Sequence, residues 1–212
     1  MMLRLAAAFC STLLWAAPLP QKNAPCTPEC GSWQELRENF KENKDFRILV
    51  QDRQAAVTVF APHGGDIEPG TSRLARTLAG NDWNLYLLEG LIPKNRRMHV
   101  TSAKFDEPDA LSLARKTEWG LSVHGSKDAG LGVCIGGANA PLREKTAAAL
   151  RKAGFETEEP CRRLPGRSSS NLVNRARQAG VQLELPRELF SRLEDPKQRE
   201  QFRSAVRSAF PK

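Results

Sequence analysis

Eight short apolar runs alternate with polar, helix-forming stretches over most of the chain, and this alternation most narrows the folds open to it. The runs are residues 47–50, 55–61, 84–88, 98–101, 121–124, 131–135, 155–158 and 181–185, all of strand length. Between them, residues 71–79 open on Thr71 and stop at Gly80, a capping hydroxyl followed by a helix-ending glycine. Residues 141–153 begin with Pro141 and end before Gly154, the usual asymmetry of a helix. Helices are also expected over 107–117 and 169–179. The stretch 187–210 reads as one or two helices broken near Asp195-Pro196. Strands interleaved with helices predict an α/β fold: a mixed, largely parallel central sheet flanked by helices. In such folds ligands sit beyond the carboxyl ends of the strands, so the chemistry is sought there.

The first 44 residues stand apart. Arg4 precedes an apolar stretch from Leu5 to Ala17, interrupted only by Ser11 and Thr12. That build is a secretory signal peptide over residues 1–17, too short to span a bilayer comfortably. Residues 18–44 form an arm, irregular and Cys/Pro-containing to Gly31, then polar with helical character from Ser32. Residues 45–212 are expected to be the functional domain. Without the leader, four cysteines remain (Cys26, Cys30, Cys134 and Cys161), an even count that favours disulfides in an exported chain. Three pairings are open, and Cys134, in an apolar run, also suits a buried thiol.

The chain has three histidines, and two of them end strand-like runs. Residues 55–61 lead into Pro62-His63-Gly64-Gly65-Asp66-Ile67-Glu68, where paired glycines and a proline make a tight turn. Leu121-Ser122-Val123-His124-Gly125 repeats the form. Two histidines and one glutamate are the protein ligands of a catalytic zinc, with a fourth position left for water. His63, Glu68 and His124 are therefore the candidate metal ligands, with Asp66 as the alternative carboxylate. In Val181-Gln182-Leu183-Glu184-Leu185, period-2 alternation puts Gln182 and Glu184 on one face. A carboxylate on an otherwise apolar strand is costly unless paired or functional, which makes Glu184 the candidate general base. Singly, a histidine after a strand is more often structural than a ligand; the joint pattern carries the reading.

The segment from Ala61 to Ser72 resembles the signature of the poly-γ-glutamate hydrolase family. Three further blocks agree in the same order: Met98-His99-Val100-Thr101-Ser102 leading to Phe105-Asp106-Glu107-Pro108, then Ser122-Val123-His124-Gly125, then Gly180 to Leu185. The resemblance covers roughly residues 45–190. It implies a fold similar to zinc carboxypeptidases and a single zinc that serves cleavage of γ-glutamyl amide bonds. His63, Glu68 and His124 fall on its ligand positions and Glu184 on its catalytic carboxylate. His99 then reads as a residue orienting Glu68 or the substrate. Asn174-Arg175 resembles the pair with which zinc carboxypeptidases grip a substrate carboxylate, and Arg162, Arg163 and Arg167 make a basic loop beside it.

Charge fits a polyanionic partner. The chain carries 32 Lys and Arg against 24 Asp and Glu, a net charge of +8. Poly-γ-glutamate has one carboxylate per residue, and a basic field steers such a chain. Nucleic acid is disfavoured, since aromatics are only 7% and no stacking platform or groove-reading helix stands out. A secreted, monomeric enzyme without stable membrane insertion is expected. The alternatives are a zinc hydrolase of another amide, and a non-catalytic basic protein that binds extracellular polyanions.

Overall fold

A computed structural model describes residues 26–93, 96–130 and 132–211. The signal peptide expected over residues 1–17 and the first part of the arm lie outside the described residues. Seven strands form one mixed sheet: β1 (Phe46–Gln51), β2 (Val57–Gly65), β3 (Asn84–Gly90), β4 (Trp119–Ser126), β5 (Val133–Gly136), β6 (Thr157–Glu158) and β7 (Gly180–Pro186). Their order across the sheet is β1-β3-β2-β4-β7-β5-β6. The centre, β3-β2-β4-β7, is parallel throughout. β1 runs antiparallel to β3, and β5 antiparallel to β7. The fold class expected from the sequence is the one observed.

Alternation along each strand sorts side chains onto two faces. Val57, Val59, Leu121, Val123, Val181 and Leu183 enter one core. This core is closed by helices α2 (Thr71–Ala79), α4 (Ala140–Lys152), α5 (Arg187–Arg192) and α6 (Pro196–Ala209). Phe46, Phe60, Tyr86 and Leu88 enter the other, beneath α1 (Trp33–Asn39) and α3 (Pro108–Lys116). Fully burying each large side chain contributes about 1.5–3 kcal/mol, so the two layers together hold the sheet. Trp33, Leu36 and Phe40 pack into this second core, so the described part of the arm shares the core of the sheet. The break at Asp195-Pro196 is a cap: Asp195 Oδ1 accepts from the backbone N–H of Lys197 and Gln198 at 2.8 and 2.9 Å.

Two expected elements are absent. Residues 98–101 are not a strand; a 3-10 turn, Arg96–Met98, leads into an irregular segment. Its apolar residues are buried without backbone pairing, because Met98, Val100 and Phe105 plug the second core from the side. Residues 169–179 are not an α-helix but a single 3-10 turn, Leu172–Arg175. There the Asn171 side chain accepts from Val173 N–H at 3.2 Å, offering the backbone an alternative to the helix. The cysteines pair as Cys26–Cys30 and Cys134–Cys161, so Cys134 is not a free thiol. Among the described residues no helix is long and apolar enough to cross a membrane.

Candidate metal centre

The site forms where β2, β4 and β7 reach their carboxyl ends. His124 and Glu184 are direct register partners on adjacent parallel strands, as are Ser122 and Gln182, so these four side chains share the second face. His63 needs more than alternation to join them. Ala61 faces the first core, and strict period-2 order would send His63 there too. Between Ala61 and Gly64, however, β2 carries one more residue than the β3 segment it pairs with, and this bulge turns His63 onto the second face. The turn beyond requires glycine: a Cβ on Gly64 would lie 2.2 Å from Ser72 Oγ and 2.8 Å from the Leu88 carbonyl oxygen. Gly65 has φ +63, in the left-handed region. Glu68 N–H closes the turn on the His63 carbonyl at 2.8 Å. The Thr71 hydroxyl donates to the Glu68 carbonyl at 2.8 Å instead of capping its own helix.

Three donors converge in this corner. His63 Nδ1 lies 3.1 Å from His124 Nδ1 and 3.3 Å from Glu68 Oε1, and His124 Nδ1 lies 3.5 Å from Glu68 Oε2. A tetrahedral ion bound at 2.0–2.1 Å separates its ligand atoms by about 3.3 Å, so these spacings fit zinc's dimensions. The other ring nitrogen of each histidine is engaged. His63 Nε2 donates to the Val100 carbonyl at 2.8 Å, which turns Nδ1 toward the corner, and His124 Nε2 lies 3.3 Å from Ser102 Oγ. His63, Glu68 and His99 also present ligand atoms within 4.8 Å of one another, which places His99 at the same point. Glu68 Oε2 further accepts from Gly125 N–H at 2.9 Å. Glu68, not Asp66, is the carboxylate that meets the histidines.

Electrostatics separate the two carboxyls. Burial pushes Glu68 upward, but the charges and hydrogen bonds of His63 and His124 hold it well below the usual carboxylate range. Glu184 is pushed up to about 8 by burial and then by the charge of Glu68. Burial, followed by the charge of His63, lowers His99 to about 3, so it is neutral. Gln182 Nε2 donates to Glu184 Oε1 at 2.8 Å, and Asn171 Nδ2 donates to Gln182 Oε1 at 2.9 Å. Sequence reasoning assigned no role to Asn171, Gln182 or Ser102. Alternation marked Gln182 as sharing the face of Glu184, and that signal was available.

A cleft of about 500 Å³ opens over these residues. Arg96, Lys127, Arg163 and Arg167 lie on its wall, with Ser102 and Ser168. Arg163 is paired with Asp128 at 2.5 Å, and Arg162 with Glu158 at 2.8 Å, away from the cleft lining. Among the described residues Arg96, Lys127 and Arg167 make no ion pair. Asn174 and Arg175 are not on the wall. The Asn174 amide donates to the Gly166 and Ser168 carbonyls at 2.7 and 2.8 Å and accepts from Ala138 N–H at 2.9 Å. Arg175 reaches the Ser170 carbonyl at 3.4 Å. The Asn174 amide thus anchors the loop over residues 166–168.

Two histidines and a glutamate meet at the carboxyl ends of parallel strands, with a second buried carboxyl beside them, in a mixed α/β sheet. The chain belongs to the poly-gamma-glutamate hydrolase family, whose model matches residues 31–210. That span reaches further towards both ends than the signature blocks. The SPbeta prophage-derived protein YoqZ of Bacillus subtilis strain 168 is 37% identical over 161 residues, 74% of this chain and 58% of YoqZ. A bacteriophage poly-gamma-glutamate hydrolase superposes with a TM-score of 0.79 at 27% identity, covering 85% of this chain and 95% of that one. A zinc-free form of YndL superposes with a TM-score of 0.79 at 26% identity, covering 85% and 96%. In sequence, this chain spans 58% of the length of YoqZ and 62% of that of YndL from the same Bacillus subtilis strain.

Proposed function

We propose that this protein is an exported, monomeric zinc hydrolase that cuts γ-glutamyl amide bonds in poly-γ-glutamate, with His63, Glu68 and His124 holding the metal and Glu184 as general base. The observation that carries the reading is the register pairing of His124 with Glu184, which sets a proton-accepting carboxyl directly beside the three-donor corner. When bound there, zinc supplies a Lewis acid that makes water nucleophilic near neutral pH and polarises an amide carbonyl. Glu184, held through Gln182 and Asn171, takes a proton from the attacking water and delivers it to the departing amine. In the metal-free protein burial and the charge of Glu68 keep Glu184 protonated, and a cation held by His63, Glu68 and His124 would offset that repulsion. Arg96, Lys127 and Arg167 meet the free α-carboxylates of the substrate, the role first expected of Asn174 and Arg175. Two disulfides within residues 26–161 and an apolar leader support export.

Glu184→Gln keeps the hydrogen bond to Gln182 and removes the base. Its turnover should fall by about 10²–10⁴-fold, with zinc content unchanged. Normal turnover in that variant would remove Glu184 from the mechanism.

A further inference from the structure

His99 is the one histidine that belongs neither to a strand nor to the three-donor corner, yet both of its ring nitrogens face a partner. Its ring lies 4.0 Å from that of His63, centroid to centroid, and its Nε2 lies 3.6 Å from Glu68 Oε1. Its other nitrogen, Nδ1, lies 2.8 Å from Glu29 Oε2. Glu29 sits inside the five-residue loop closed by the Cys26–Cys30 disulfide. Two backbone-directed bonds fix that loop to the turn carrying His99: Cys30 N–H donates to the Arg97 carbonyl at 3.0 Å, and Arg97 Nε donates to the Cys26 carbonyl at 3.0 Å. Both cysteines are buried. The loop precedes residue 31, where the family match begins.

We propose that Glu29, presented by the disulfide-closed loop, is a positioning residue that holds His99 with its proton on Nδ1 and its Nε2 lone pair turned toward Glu68 and the metal site. A carboxylate can only accept, so the ring nitrogen 2.8 Å from it carries the hydrogen, and in the neutral imidazole this leaves Nε2 as the bare nitrogen. A carboxylate behind a histidine that faces a metal fixes the ring's orientation and raises its basicity. The inference rests on the zinc reading for its consequence, but not for the tautomer itself.

Nitrogen-15 NMR of the imidazoles in metal-free protein reads the tautomer, and competition with a chelator reads zinc affinity, both on the full mature chain with disulfides intact. Glu29→Ala should lose the Nδ1–H preference of His99 and, because His99 stands against the ligand Glu68, bind zinc several-fold more weakly. Glu29→Gln, which keeps an acceptor oxygen, should retain the tautomer. Glu29 is partly exposed, so neither variant removes core packing. An unchanged tautomer in Glu29→Ala, or unchanged affinity where the wild type binds zinc, overturns the proposal. Failure of the wild type to bind zinc counts against the functional reading instead, and the tautomer comparison then decides the role of Glu29 alone.

Discussion

Glu184 gives the site a pH signature that is measurable before any substrate is known. In the metal-free protein its carboxyl is pushed up to about 8, by burial first and by the charge of Glu68 second. An unfolded chain returns it to the ordinary glutamate value, about 4.3–4.5. Below that value the group is protonated in both states and contributes no pH dependence. Between about 4.5 and 8 the unfolded chain releases the proton while the folded protein keeps it, so stability falls as pH rises. Above about 8 both states are ionised and the loss is complete. At 1.36 kcal/mol per pH unit, the whole span corresponds to about 5 kcal/mol, an upper figure for one buried group. Urea unfolding of chelator-treated protein at pH 5 and pH 8.5, with the disulfides intact, measures it. Glu184→Gln carries no proton to lose, so the variant should gain on the wild type by several kcal/mol between the two pH values. Parallel behaviour of the two proteins would show that burial and Glu68 do not hold this carboxyl protonated.

Gly64→Ala should destabilise the fold by about 1–3 kcal/mol, because the added methyl meets Ser72 Oγ at 2.2 Å and the Leu88 carbonyl at 2.8 Å; the shift in denaturant midpoint checks it. Zinc affinity should drop in the same variant, since the bulge that turns His63 ends there. Paired substitution of Arg96 and Arg167 by Ala should raise KM for a polyglutamate chain several-fold, more at low salt than at high, with kcat little changed. Arg175→Ala, outside the cleft, should leave KM as it is.

Which parts of this protein could be read from its sequence follows from how local each signal is. The two His-Gly strand ends and the alternating Gln182 and Glu184 are local, and they stand together in the structure because parallel register aligns β4 with β7. The bulge before Gly64 is not local, since it exists only in the pairing of β2 with β3. The strand-then-turn pattern therefore placed His63 in the right region without explaining how it reaches the correct face. Met98, Val100 and Phe105 mimic a strand because burial demands apolar residues whether or not the backbone pairs. Asn174-Arg175 invited a substrate role by analogy, yet the amide is consumed in anchoring the loop over residues 166–168. The carboxylate behind His99 comes from a residue 70 positions away, and no spacing rule reaches it.

The central claim is that a metal held by His63, Glu68 and His124 drives cleavage of a polyglutamate amide. Its most direct test is incubation of purified mature protein with poly-γ-glutamate, read by the loss of polymer length, with zinc measured on the same sample. The account predicts about one zinc per chain, shortening of the polymer, loss of activity with a chelator and recovery when zinc is returned. Bound zinc with intact polymer would contradict the assigned substrate and point to another amide. Polymer cleavage that survives complete removal of metal would contradict the account at its root.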